Sequence, residues 1–237
     1  MSAWRVLALL FAFATLAASP ADAQQRAPQQ STRAPSFQSG DVWITPSIGL
    51  EYRIDKRWSF HLDAQGRFDT ANGLLRNFQV RPGFEYAISP HWAIAAGYVQ
   101  FNRYLAGQST SRGAFQDILY RARIEDLPFA MRWRWEELFF DNGQWLVRTR
   151  LLAGVRVPLQ GTPWELAFSD EIFLNLTNSN PNTRLNGFTQ NRAYAGFGRA
   201  LTAWSRASLG YELDTFVGTA GVRNVHNIKM NVIFTLN

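Results

Sequence analysis

The chain of 237 residues contains no cysteine and carries a formal net charge of +6, from 24 Lys and Arg against 18 Asp and Glu. Without thiols there is neither a disulfide framework nor a thiolate metal site, so stability must come from packing and hydrogen bonding. With 46% hydrophobic and 14% aromatic residues, the chain is too apolar to stay disordered along its length.

Met1 to Arg5 form a short basic start, Val6 to Ala18 an apolar run, and Ser19-Pro20 interrupt it. Ala21-Asp22-Ala23 then supplies the small-x-small pattern of a signal-peptidase site. Residues 1–23 therefore read as a secretory signal peptide, too short to be a membrane helix. Cleavage is expected after Ala23, and losing Arg5 with Asp22 leaves the net charge unchanged. Residues 24–41, rich in Gln, Pro, Ser and Arg, read as a disordered lead-in. Residues 42–237 read as a single domain.

From Val42 onward the sequence alternates with period two, the mark of half-buried strands. Val42, Ile44, Pro46, Ile48, Leu50 and Tyr52 share one face, while Trp43, Thr45, Ser47, Gly49, Glu51 and Arg53 share the other. The same pattern gives segments at 42–54, 57–69, 76–88, 91–104, 116–125, 129–140, 144–157, 164–176, 188–201, 205–217 and 225–236. Strands of globular proteins usually run about 5–6 residues, whereas a tilted strand crossing a bilayer needs roughly 9–11. Aromatic residues gather at segment ends, at Trp43, Trp58, Trp92, Tyr104, Trp145, Trp164 and Phe173, as interfacial girdles would.

The links differ in length. Short ones fall at Asp55-Lys56, Ser89-Pro90, Asp126-Leu127 and Ala203-Trp204, with longer ones at 69–75, 105–115, 177–188 and 217–224. Asp141-Asn142-Gly143 is tight yet falls on the long side. Backbone groups in lipid need partners, so such a sheet must close. The expected fold is all-β: a transmembrane, antiparallel, up-and-down β-barrel. The segments number eleven, but bacterial barrels favour even counts. Twelve strands are therefore expected, with ten as the alternative; a soluble sandwich is the competing architecture.

Several stretches carry a family resemblance: "DVWITPSIGLEYRI", "VRPGFEYAISPHWAIAAGY", "WELAFSDEIFLNL", "GFTQNRAYAGFGRAL", "SLGYELDTF" and "VHNIKMNVIF". Together they span nearly all of Asp41 to the C-terminus, and the most distinctive pairing is Glu171 with Gln190-Asn191-Arg192. The chain resembles the DUF2490 family of exported proteins of unknown function. That resemblance implies an outer-membrane barrel and adds no activity. The ending Phe234-Thr235-Leu236-Asn237 departs from the aromatic terminus of many outer-membrane strands.

If the apolar faces meet lipid, the polar faces line a lumen. Its cations are Arg53, Arg67, Arg81, Arg121, Arg123, Arg132, Arg134, Arg148, Arg150, Arg156, Arg192, Arg206 and Lys229. Its acids are Glu51, Asp63, Asp69, Glu85, Asp117, Glu125, Glu136, Glu171 and Glu212. Arg132, Arg134, Glu136, Arg148, Arg150, Glu171, Gln190, Arg192 and Glu212 are the candidate lumen-lining set. They support a salt-bridge network tying the wall together, or a narrow path for small anionic solutes. Outer-membrane lipid is the other expected partner.

Catalysis finds little support. The adjacent pairs Glu136-Glu137 and Asp170-Glu171 point to opposite faces of a strand and cannot act together. Of His61, His91 and His226, only His61 shares a face with a nearby serine, Ser59, which leaves a lipid-modifying enzyme as the alternative. A third reading is a surface module binding through the loops at 105–115 and 177–188. There is no phosphate loop, metal-ligand cluster or zinc pattern, and the cations are spread rather than gathered, so neither a cofactor nor nucleic acid is expected. The expected location is the bacterial outer membrane.

In "FAMRWRWEELFF", Phe129, Met131, Trp133 and Trp135 fall on the apolar face, and Arg132, Arg134 and Glu136 on the polar one. On this pattern Trp133→Arg should hinder assembly, whereas Arg134→Gln should be tolerated.

Overall fold

The computed structural model describes residues 38–104, 109–179, 186–218 and 221–237. The expected signal peptide, residues 1–23, and residues 24–37 of the expected lead-in lie outside them. The described chain forms eleven strands in one closed barrel. They are β1 (Val42–Arg53), β2 (Trp58–Asp69), β3 (Leu75–Ala87), β4 (Trp92–Arg103), β5 (Ser109–Ile124) and β6 (Leu127–Phe140). Then come β7 (Trp145–Pro158), β8 (Trp164–Asn178), β9 (Gly187–Thr202), β10 (Ser205–Gly218) and β11 (Gly221–Leu236).

Consecutive strands pair antiparallel, and the ring is closed by a parallel pairing of β1 with β11, running from Val42 opposite His226 to Tyr52 opposite Leu236. This corrects the expected twelve strands, and the alternative of ten. An odd number of alternating strands leaves the first and last pointing the same way, and a parallel ladder pairs both edges without a further strand.

The rim formed by the links 54–57, 88–91, 125–126, 159–163 and 203–204 is termed the turn rim; the opposite end is the loop rim. The expected contrast in link length is weaker than the sequence suggests. β5 begins at Ser109 and β11 at Gly221, so much of the expected loops 105–115 and 217–224 is strand. Alternation is hard to see in "STSRGAF" and "GVRN" because small and polar residues occupy both faces there.

The turns follow local chemistry. In the β1–β2 turn the backbone N–H groups of Arg57 and Trp58 both donate to Asp55 Oδ1 at 2.7 Å. Those bonds, Trp58's foremost, hold the Asp55 carboxyl below its usual pKa range. The two-residue β5–β6 link places Glu125 at φ 55°, a left-handed conformation that favours Gly, Asn or Asp. Glu125→Gly is therefore expected to stabilise the barrel by about 1 kcal/mol, read as a raised denaturant midpoint.

Burial is inverted relative to a globular protein. Large apolar side chains on the outer face are open: Trp133 is 52% exposed, Phe139 60% and Phe197 54%. Charged side chains on the inner face are closed off: Glu136 and Asp214 are both 0% exposed. Trp58, Trp92, Trp145 and Trp164 stand on the outer face at strand starts, in the positions expected of a girdle. Trp43 and Phe173 do not. Both are buried inside the barrel, because their parity along the strand, rather than their residue type, decides which way they point.

Candidate functional site: the barrel interior

The interior has three levels. Nearest the loop rim its β4–β7 side is apolar, with Val99, Leu138, Phe140 and Leu146 packed together, while its β2–β3 side holds the ion pair of buried Asp69 with Arg76. The sequence placed Arg132, Arg134 and Glu136 on the lumen face of β6, and the same face continues into this cluster. The inner face of β6 runs Arg132, Arg134, Glu136 and then Leu138, Phe140, changing from charged to apolar along one strand.

The middle level is a continuous network of ion pairs. Arg134 grips Asp117 with two bonds of 2.6 Å, from Nε to Oδ1 and from Nη2 to Oδ2. Glu136 accepts from Arg148 Nε at 2.5 Å and from Arg150 Nη1 at 2.9 Å. Arg150 also donates to Glu171 Oε1 through Nη2 at 2.6 Å, and Arg132 reaches the same oxygen at 2.7 Å over the top of β7. Arg192 bridges Glu171 at 3.7 Å to Asp214 at 3.1 Å. From Asp214 the network crosses to Arg67 on β2 at 3.4 Å and to Asn227 on β11 at 2.9 Å, and Thr45 on β1 donates to Asn227 at 3.1 Å.

These pairs are bidentate or shared, and their carboxylates are buried together with Arg134 and Arg150, while Arg132, Arg148 and Arg192 stay partly open. Low exposure is the setting in which guanidinium–carboxylate contacts are strongest. Aromatic rings support the guanidinium planes. Phe173 lies under Arg150 at 4.6 Å and Arg192 at 4.5 Å, Phe115 under Arg134 at 4.3 Å, and Trp43 under Arg67 at 5.6 Å and Arg76 at 5.2 Å. Phe115 fits because β3 and β4 offer glycines beneath it. A Cβ on Gly83 or Gly97 would lie 2.8 or 2.7 Å from its ring.

Below the network, toward the turn rim, lies a vestibule of about 420 Å³. Arg150, Glu171, Arg192 and Glu212 form its floor, and Arg156, Glu165 and Arg206 stand near its mouth, where both arginines pair with Glu165. Seven cations face four acids in its lining: Arg81, Arg132, Arg150, Arg156, Arg192, Arg206 and Lys229 against Asp63, Glu165, Glu171 and Glu212. Lys229 donates to Glu212 at 2.8 Å. Among the described residues Arg81 has no carboxylate within ion-pair distance and lies 5.9 Å from the Phe115 ring.

Of the nine candidate residues, Arg132, Arg134, Glu136, Arg148, Arg150, Glu171 and Arg192 join the network directly. Glu212 lies at the vestibule floor, and Gln190 is buried beside Arg192. Asp214, Arg67, Asn227 and Thr45 close the network but were not in the set. For Asp214 the signal was present, since it lies two residues beyond Glu212 on the same face.

The expected tolerance of Arg134→Gln does not fit this geometry, because the change would strand the buried Asp117. His61 turns to Glu85 at 3.3 Å and Glu51 at 3.9 Å, and Glu85 is in turn held by Arg121 at 2.6 and 2.7 Å. His61 is thus enclosed by carboxylates, with no hydrogen bond to Ser59 among the described contacts. Glu136 and Glu171 each have several arginine partners, and no cluster suited to a metal occurs among the described residues. Of the two loops considered for partner binding, 105–108 and 180–185 lie outside the described residues.

On the outer face, polar groups pair locally. Trp133 Nε1 donates to Thr149 Oγ1 at 2.6 Å, Asn191 to Asp170 at 2.7 Å and Thr215 to Asn224 at 2.9 Å.

The family model for DUF2490, described as a protein of unknown function, matches residues 42–225. No curated protein matches the chain. Among solved structures, the siderophore receptor PirA from Pseudomonas aeruginosa is similar at 12% identity and a TM-score of 0.29. The match covers 73% of this chain and 34% of the receptor, so the chain spans about a third of that protein's length.

Proposed function

The chain belongs to the DUF2490 family, whose function is unknown, and from its geometry we propose an outer-membrane β-barrel with a structural, non-conducting interior. One observation carries the reading: a closed wall with open aromatics outside and fully enclosed charges inside. In water this burial pattern would be unfavourable on both counts. In a bilayer the outer face meets hydrocarbon, while the enclosed charges satisfy one another within the wall. The locally paired polar groups on the outer face fit the same environment, where an unpaired donor costs several kcal/mol.

The network and the apolar cluster lie between the vestibule and the loop rim. They tie β5 through β11 to β1 and β2, a role in holding the wall together. A second reading, a narrow anion path, rests on the vestibule's excess of cations and on the unpaired Arg81.

Two measurements test this. Membrane-extracted protein should migrate differently on gels before and after heating, as closed barrels do; full solubility without detergent would overturn the membrane reading. In planar bilayers the purified barrel should show no conductance above background. Small anion-selective steps would favour the second reading, and large unselective steps would exclude both.

A further inference from the structure

The outer wall carries a groove of about 610 Å³ across β2 to β6. Its origin lies in two adjacent cross-strand rows. Nearer the turn rim, Trp58, Tyr86, Ile94, Ile118 and Trp133 lie in register from β2 to β6, all bulky. In the next row Phe84 on β3 is followed by Ala96 on β4, Gln116 on β5 and Trp135 on β6. The wall falls from a phenyl ring to a methyl group and rises again to an indole. Ala96 and Gln116 form the floor; Phe84 and Trp135 are the banks.

At the turn-rim end the groove meets a basic turn. Trp58 and Tyr86 pack at 4.9 Å, and Arg57 donates from Nη1 to the Tyr86 hydroxyl at 2.8 Å, with its guanidinium 6.0 Å from the ring. Lys56 precedes it. The nearby acid, Asp55, is engaged by backbone N–H groups of Arg57 and Trp58, and Lys56 and Arg57 are both exposed. An apolar hollow whose turn-rim wall, Trp58 and Tyr86, adjoins two exposed cations matches an amphiphile with a hydrocarbon chain and a negatively charged head.

We propose that this groove holds an acyl chain of one anionic phospholipid, whose phosphate is taken by Arg57 and Lys56 at the turn rim. The assignment rests on the outer face being lipid-facing. Ala96 is the specificity element, since any larger side chain there levels the wall.

The test uses the full barrel reconstituted in vesicles of equal phosphatidylglycerol and phosphatidylethanolamine, extracted in mild detergent and weighed by native mass spectrometry. One retained phosphatidylglycerol per barrel is expected. Ala96→Leu and Ala96→Trp should lower its occupancy at least five-fold while gel mobility still shows a folded barrel. Arg57→Gln with Lys56→Gln should leave a lipid bound but abolish the preference for the anionic one. Equal retention of both lipids by the unaltered protein, or retention unchanged by both Ala96 variants, would overturn the proposal. Failure to enter vesicles at all would instead overturn the membrane reading on which it stands.

Discussion

Glu136→Gln is expected to destabilise the barrel by about 3–5 kcal/mol, the range for breaking a buried ion pair from one side. Glu136 is fully enclosed and neutralises Arg148 and Arg150 directly, with Arg134 a further 3.9 Å away. Glutamine preserves the volume and one acceptor but leaves these crowded cations without their buried counter-charge. Urea unfolding of vesicle-inserted protein, followed by tryptophan fluorescence, measures the loss. Removing one cation as well, in Glu136→Gln with Arg148→Gln, should recover part of it, and the double-mutant cycle reads the coupling. A change below about 1 kcal/mol for the single variant would mean that water reaches this level of the lumen.

The second large effect contrasts two neighbours on β6. Trp133→Arg puts a cation on the outer face, where its predicted cost at mid-membrane is about 2–4 kcal/mol. It also removes the donor to Thr149. The fraction of chain that folds into vesicles, scored by gel mobility, should fall sharply. Arg134→Gln leaves Asp117 buried without its two-bonded partner, so a loss of about 3 kcal/mol is expected in unfolding. The two variants should differ in kind: the first impairs insertion, whereas the second inserts and then unfolds at lower urea. Adding Asp117→Asn to Arg134→Gln should restore stability, and should do nothing for Trp133→Arg.

The alternation made the two faces of β6 legible, and with them the assignment of Trp133 outward and Arg134 inward. What alternation does not encode is distance across the lumen. It lists Arg134 and Asp117 as inward residues on adjacent strands, but the register that sets them opposite one another is fixed by the two-residue link Glu125-Asp126, one residue from the Asp126-Leu127 break the sequence offered.

Residue type misled at two places. Trp43 and Phe173 look like girdle aromatics, yet their inward parity places them under arginines, where their faces meet positive charge. The apolar cluster at Leu138 and Phe140 is obscured because "LFF" is apolar on both faces, so alternation loses its contrast there. Asp214 was legible by its spacing from Glu212. The parallel closure was not legible, since no local pattern distinguishes a strand paired with its chain neighbour from one paired across nearly the full sequence.

That closure governs how the ring must come together. Ten of its eleven joints are hairpins between chain neighbours, each formed by closing a short loop. The joint of β1 to β11 brings together residues as far apart as Ser47 and Asn231, separated by 184 positions. Its entropic barrier is the largest in the molecule, and it falls only once the intervening hairpins have shortened the effective loop. The seam is therefore expected to form last, and until it does the chain is a curled sheet with two unpaired edges. The Asp214–Arg67 pair spans this gap from β10 to β2 and acts as a latch that holds the seam once it has closed.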